Sequence, residues 1–141
     1  MPFTQNINPT FPKQPQNGKI QILNGTGTAN VTVYTAGASG TKVVAILVSS
    51  TDTSPRDVQI KVTNGGTDYV LGTKTIPANS GTAAGTAAVN LLDPNVIVGL
   101  PLDSDGNPFI YLISGDTLTA AALTTVTSAK AININAVVAD F

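Results

Sequence analysis

From residue 19 onward the chain changes between apolar and polar side chains in short stretches. The stretches 31–35, 58–62 and 132–136 alternate strictly: Val31-Thr32-Val33-Tyr34-Thr35, Val58-Gln59-Ile60-Lys61-Val62 and Ile132-Asn133-Ile134-Asn135-Ala136. A period of two puts the apolar members on one face of an extended strand and the polar members on the other. Ile20-Gln21-Ile22 opens an earlier strand that Asn24-Gly25 ends. Residues 43–48, Val-Val-Ala-Ile-Leu-Val, are apolar throughout, which predicts a central strand buried on both faces. Further strands are predicted at 69–76 with a bulge at Gly72, at 87–92, at 109–113 and at 118–123. No segment carries a helical period; 93–101 has room for one helical turn.

The connectors fit this reading. Asn64-Gly65-Gly66 and Ser114-Gly115-Asp116 each read as a hairpin turn, and 36–40 and 78–86 as loops of small residues. Eight or nine short strands with frequent turns predict an all-β, single-domain sandwich or jelly-roll-like fold over 19–141. Residues 1–18 stand apart. They hold four of the nine prolines, and proline fixes its own φ and biases the preceding residue toward extended backbone. This segment is predicted to be an extended arm, with Phe3, Ile7 and Phe11 as apolar anchors for docking.

Composition narrows the chemistry. The 141 residues include no His, no Cys and no Glu; eight Asp stand against six Lys and one Arg, and charged residues are 11% of the chain. Without His, the commonest general base and metal ligand is missing. A Ser–Lys pair has no marked spacing, so no catalytic residue, cofactor or metal is expected. A net charge of −1 lacks the basic footprint of a nucleic-acid binder. The longest apolar run is six residues and predicts no membrane span. The start, Met1-Pro2-Phe3-Thr4-Gln5, has neither a basic nor an apolar signal region, so synthesis and retention in a cytoplasm are expected.

Three local patterns need weighing. Asp103-Ser104-Asp105-Gly106-Asn107 begins like a calcium loop, but Pro108 stands where that loop has Gly and Ser114 where it has Glu; a turn braced by Asp side chains is the expectation. Gly25-Thr26-Gly27-Thr28 has no following helix and reads as a turn, not a phosphate cradle. Thr51-Asp52-Thr53-Ser54-Pro55-Arg56-Asp57 gathers two carboxylates around the only arginine. It reads either as a turn with a local ion pair or, through Asp52, Arg56 and Asp57, as a contact with another subunit or a capsid.

Residues 49–60, beginning Ser49-Ser50-Thr51-Asp52, resemble a segment of small tailed-phage capsid decoration (cement) proteins. So do Asn64-Gly65-Gly66-Thr67-Asp68-Tyr69 with Ile76-Pro77-Ala78-Asn79-Ser80-Gly81, and Val89-Asn90-Leu91-Leu92 leading to Leu100-Pro101-Leu102-Asp103. Gly115-Asp116-Thr117-Leu118 and Ala131-Ile132-Asn133-Ile134 follow the same order, so the resemblance spans about 42–141. It implies a trimeric β-sandwich without enzymatic activity. Such a protein binds the outside of a phage head between capsomers of the major capsid protein and strengthens the shell. Two other classes remain open from the residues. One is a different virion part, such as a tail, head-fibre or receptor-binding module; the other is a glycan-binding sandwich, for which aromatic residues are scarce.

Overall fold

A computed structural model describes residues 12–141. Nine strands form two antiparallel sheets, and no α-helix occurs among the described residues. The strands are β1 (Gln14–Leu23), β2 (Val31–Thr35), β3 (Thr41–Ser50), β4 (Arg56–Asn64), β5 (Thr67–Ile76), β6 (Val89–Asn90), β7 (Ile110–Leu112), β8 (Thr117–Ala122) and β9 (Ala131–Asp140). Sheet A runs β1-β9-β3, with β6 and β7 on different stretches of the far edge of β3; sheet B runs β2-β8-β4-β5. The all-β sandwich expected from the alternation is what forms. Ile22, Ile46, Ile132 and Ile134 from sheet A and Val33, Ile60 and Leu118 from sheet B meet in one core.

The Gly65-Gly66 turn joins β4 to β5 as a hairpin, both glycines at positive φ (58° and 80°). That is the backbone of a type I′ turn, which matches strand twist and which side chains with a Cβ resist. The bulge expected at Gly72 is present: Ile60 faces Gly72 and Lys61 faces Val70, so Leu71 is the extra residue.

Two local expectations are overturned. Ser114-Gly115-Asp116 is not a hairpin, because β7 pairs with β3 in sheet A while β8 lies between β2 and β4 in sheet B. β8 is enclosed from Leu118 to Ala122, and β2 and β4 pair with its two edges in sheet B, so none is left for β7. The run 43–48 is buried on one face only; Val44 is 43% and Leu47 41% exposed. A register shift between Val43 and Ala45 leaves Val44 unpaired, and the outer face of β3 is open. The strand buried on both faces is β8, with small Thr119 and Ala121 outward.

Strand β1 starts at Gln14, paired to Asp140 of β9, so residues 14–18 of the segment set apart as an arm belong to sheet A. Phe3, Ile7 and Phe11 lie outside the described residues.

Candidate interaction surface

Among the described residues no group of three or more potential metal ligands comes together, and no helix is long and apolar enough to cross a membrane. The polar constellations instead tie loops to sheets.

The strongest is centred on Asp52, which is 0% exposed. Its Oδ1 accepts from the Ser54 N–H at 3.0 Å and the Thr127 hydroxyl at 2.8 Å. Its Oδ2 accepts from Arg56 Nε at 2.7 Å and the Thr127 N–H at 2.9 Å. Arg56 also donates to the Thr127 hydroxyl at 2.8 Å. Burial opposes charge on Asp52, but the Thr127 N–H, the Arg56 guanidinium and the remaining donors outweigh it and hold the carboxyl well below the usual range. The grouping expected around Arg56 therefore exists, but it faces inward and clamps the β3–β4 turn to the β8–β9 loop. Asp57 does not join it; its carboxylate accepts from the Thr75 hydroxyl across the hairpin.

A second knot joins the two sheets. Tyr34 on β2 donates its hydroxyl to Asp140 Oδ2 on β9 at 2.8 Å, and Thr41 donates to Asp140 Oδ1 at 2.6 Å. Burial, then the hydrogen bond to Asp140, then its charge push the Tyr34 phenol up to about 12. A phenol whose pKa is higher folded than unfolded stabilises fully below its unfolded value near 10, and that contribution is lost between pH 10 and 12. Ultraviolet titration is expected to show one phenol ionising near pH 12, absent from Tyr34→Phe. The substitution is expected to cost about 1 kcal/mol at neutral pH.

The Asp103–Asn107 loop is braced as expected. Asp103 Oδ1 accepts from the N–H groups of Asp105 and Asn107, both at 2.9 Å, and these hydrogen bonds lower its pKa.

Two surfaces remain open. The outer face of sheet A forms a shallow groove of about 680 Å³ over Lys19, Gln21, Leu47, Ser49, Asn133 and Asn135. Within it Gln21 of β1 donates to Asn133 of β9 at 2.7 Å, and Asn133 donates to the Ser49 hydroxyl of β3 at 3.4 Å. The second surface is an aromatic row at the β7 edge. Phe109 and Tyr111 pack edge to face at 4.9 Å, Tyr111 and Phe141 lie 5.7 Å apart, and Lys42 sits 4.7 Å above the Phe109 ring. Tyr111 is 58% and Ile113 66% exposed. The local sequence does not mark the whole row, since Phe141 is 30 residues from Tyr111 and reaches it only through the pairing of β9 and β7 with β3.

No protein-family model matches the chain, and no curated protein matches it significantly. Among solved structures it is similar to a pentameric capsid protein from metagenomic phage sequences, at 22% identity and a TM-score of 0.40, covering 88% of this chain and 59% of that one. It is also similar to the Drosophila NLP core, described for pentamer formation and histone binding (10% identity, TM-score 0.45, covering 91% and 98%). A third similar structure is the cyanophage Pam1 capsid asymmetric unit (17%, 0.43, covering 98% and 97%). The chain thus spans about three-fifths of the first of these, and none of these values transfers a role.

Proposed function

We propose that the protein is a non-enzymatic structural component of a phage head. It binds the outer surface as a homotrimer, between capsomers of the major capsid protein, and strengthens the shell. The observation that carries this reading is the outer face of sheet A. It is a broad, nearly uncharged surface in which Leu47 is exposed beside a row of amides, and it ends at the aromatic row of β7. Such a face can gain apolar area and hydrogen bonds from a flat protein partner at little desolvation cost for charge. The resemblance of residues 42–141 to decoration proteins supports the choice of partner. Each copy need bind only weakly, because a trimer that grips several capsomers gains avidity from geometry.

The test is sedimentation of the pure protein, alone and mixed with undecorated heads. A trimer that co-sediments with heads is expected; a monomer that stays in the supernatant overturns the reading. Because β1 begins at Gln14, deletion of residues 1–11 leaves every described strand intact. That truncated protein is expected to stay folded and to bind heads about tenfold more weakly, a loss of about 1.4 kcal/mol. Unchanged binding would remove Phe3, Ile7 and Phe11 from the contact.

A further inference from the structure

We propose that Lys61 and Asn30 join in an isopeptide bond on the outer face of sheet B, with Asp68 carrying the proton between their nitrogens. The three residues come from separate segments: Asn30 ends the β1–β2 loop, Lys61 lies on β4 and Asp68 on β5. In sheet B, β8 and β4 stand between the strand that follows Asn30 and the strand that holds Asp68. Yet Lys61 Nζ donates to Asn30 Oδ1 at 2.8 Å, and Asn30 Nδ2 donates to Asp68 Oδ2 at 2.7 Å. The same Oδ2 lies 3.4 Å from Lys61 Nζ. Asp68 is fixed from its other side, because the Thr63 hydroxyl donates to its Oδ1 at 2.7 Å. The Lys61 side chain is only 13% exposed, so its stem is packed and its amine is held at the cluster.

An amine, a carboxamide and a carboxylate in mutual contact are the parts of an amide exchange. The amine is the nucleophile, Cγ of Asn30 the electrophile and Nδ2 of Asn30 the leaving group. A small turn of the flexible lysine stem carries Nζ from Oδ1 to Cγ. Exchange between two nitrogens must take a proton from the incoming one and give one to the outgoing one. Asp68 Oδ2 touches both and can do so. Hydrogen bonds from Asn30 and then Thr63 lower the Asp68 pKa and keep it a proton acceptor. The step balances. The Lys61 ammonium first gives one proton to solvent, and the free amine adds to Cγ. Oδ2 passes a second proton from Nζ to Nδ2, the Cγ–Nδ2 bond breaks and ammonia leaves. No oxidant or further reactant is needed. Holding the groups together replaces an encounter between separate molecules. This is one reaction of the chain on itself, not enzymatic turnover. The bond closes residues 30–61, with β2 and β3 inside, in a chain that has no cysteine for a disulfide.

This inference does not rest on head binding. Its test uses the pure full-length protein, incubated in mildly alkaline buffer to favour the free amine. The intact mass is expected to fall by one ammonia. Trypsin is expected to leave the bond after Lys61 uncut and to release peptides 20–42 and 57–74 joined. Lys61→Arg, which keeps the positive charge, and Asn30→Ala, at an exposed loop residue, are each expected to abolish the joined peptide. If Lys61→Arg lowers the urea midpoint, Asn30→Ala decides. Asp68→Asn is expected to slow formation about 100-fold or more. Asn17, Asn24 and Asn64 each precede glycine and can lose ammonia by cyclising on their own backbone, so the joined peptide decides rather than the mass alone. Unjoined peptides after prolonged incubation, ammonia loss confined to those three asparagines, a joined peptide in the deciding variant, or an unchanged rate in Asp68→Asn would each overturn the proposal.

Discussion

Asp52→Ala is expected to destabilise the protein by about 3–5 kcal/mol, the range for removing one partner of a buried ion pair. Against the 5–15 kcal/mol typical of whole domains, roughly, that is enough to unfold much of a marginal population. The cause is geometric. Four donors from three residues converge on one carboxylate with no exposure, and its removal strands Arg56 Nε and the Thr127 N–H. Asp52→Asn is expected to cost nearly as much. Its single carbonyl oxygen can replace only one carboxylate oxygen, so its amide N–H₂ faces two other donors. Thr127→Val, which keeps the backbone donor, is expected to cost about 1–2 kcal/mol. Urea unfolding measures all three, and a loss under 1 kcal/mol for Asp52→Ala would show that the knot is not a stabilising clamp.

The pH dependence follows with a definite sign. A carboxyl whose folded pKa lies below its unfolded value of 3.8 stabilises fully above 3.8, and that contribution disappears as pH falls through the folded value. The stability gap between the native protein and Asp52→Ala is therefore expected to be constant near neutral pH and to shrink below about pH 4. Two residues beyond Thr127, Ala129 sits at φ 61° in the β8–β9 loop, a conformation that costs a residue with a Cβ about 1 kcal/mol or more.

Much of this fold was legible in the sequence. Alternation located β2, β4 and β9, and Gly65-Gly66 specified its hairpin, because both signals are local. What escaped was set by distant partners. Ser114-Gly115-Asp116 carries the same turn residues as a hairpin, yet the strands it joins lie in different sheets. Nothing near residue 114 states that β7 pairs with β3. The run 43–48 looked doubly buried because hydropathy cannot tell a covered face from an exposed one kept apolar. For the candidate surface, Asp52 and Arg56 were correctly seen as a pair, but their inward direction depends on Thr127, more than 70 residues away. In the aromatic row a spacing of two puts Phe109 and Tyr111 together, but Phe141 joins them only through the register of sheet A.

Gly18→Val is the substitution for which local preference and packing predict opposite signs. Gly18 lies in the middle of β1, and a β-branched residue there gains strand propensity and loses less backbone entropy, a benefit of about 1 kcal/mol. Packing reverses this. β1 and β2 belong to different sheets, yet a Cβ on Gly18 would drive into the Val33 carbonyl oxygen and meet Tyr34 Cβ at 3.0 Å. The obstacle is backbone, so relief requires the two sheets to part at that corner, beside the Tyr34–Asp140 bond. The expected net loss is about 3 kcal/mol, at the upper end for overpacked sites. Gly25→Ala is the control: nothing lies within 4 Å of its added Cβ, and it should leave the urea midpoint nearly unchanged. Because the N-terminal segment enters the fold through β1, hydrogen exchange should locate the damage. The amides of β1 paired to β9 lose protection first, while the β4–β5 hairpin keeps its own. Equal loss in both sheets would mean that the corner is not a separate weak point.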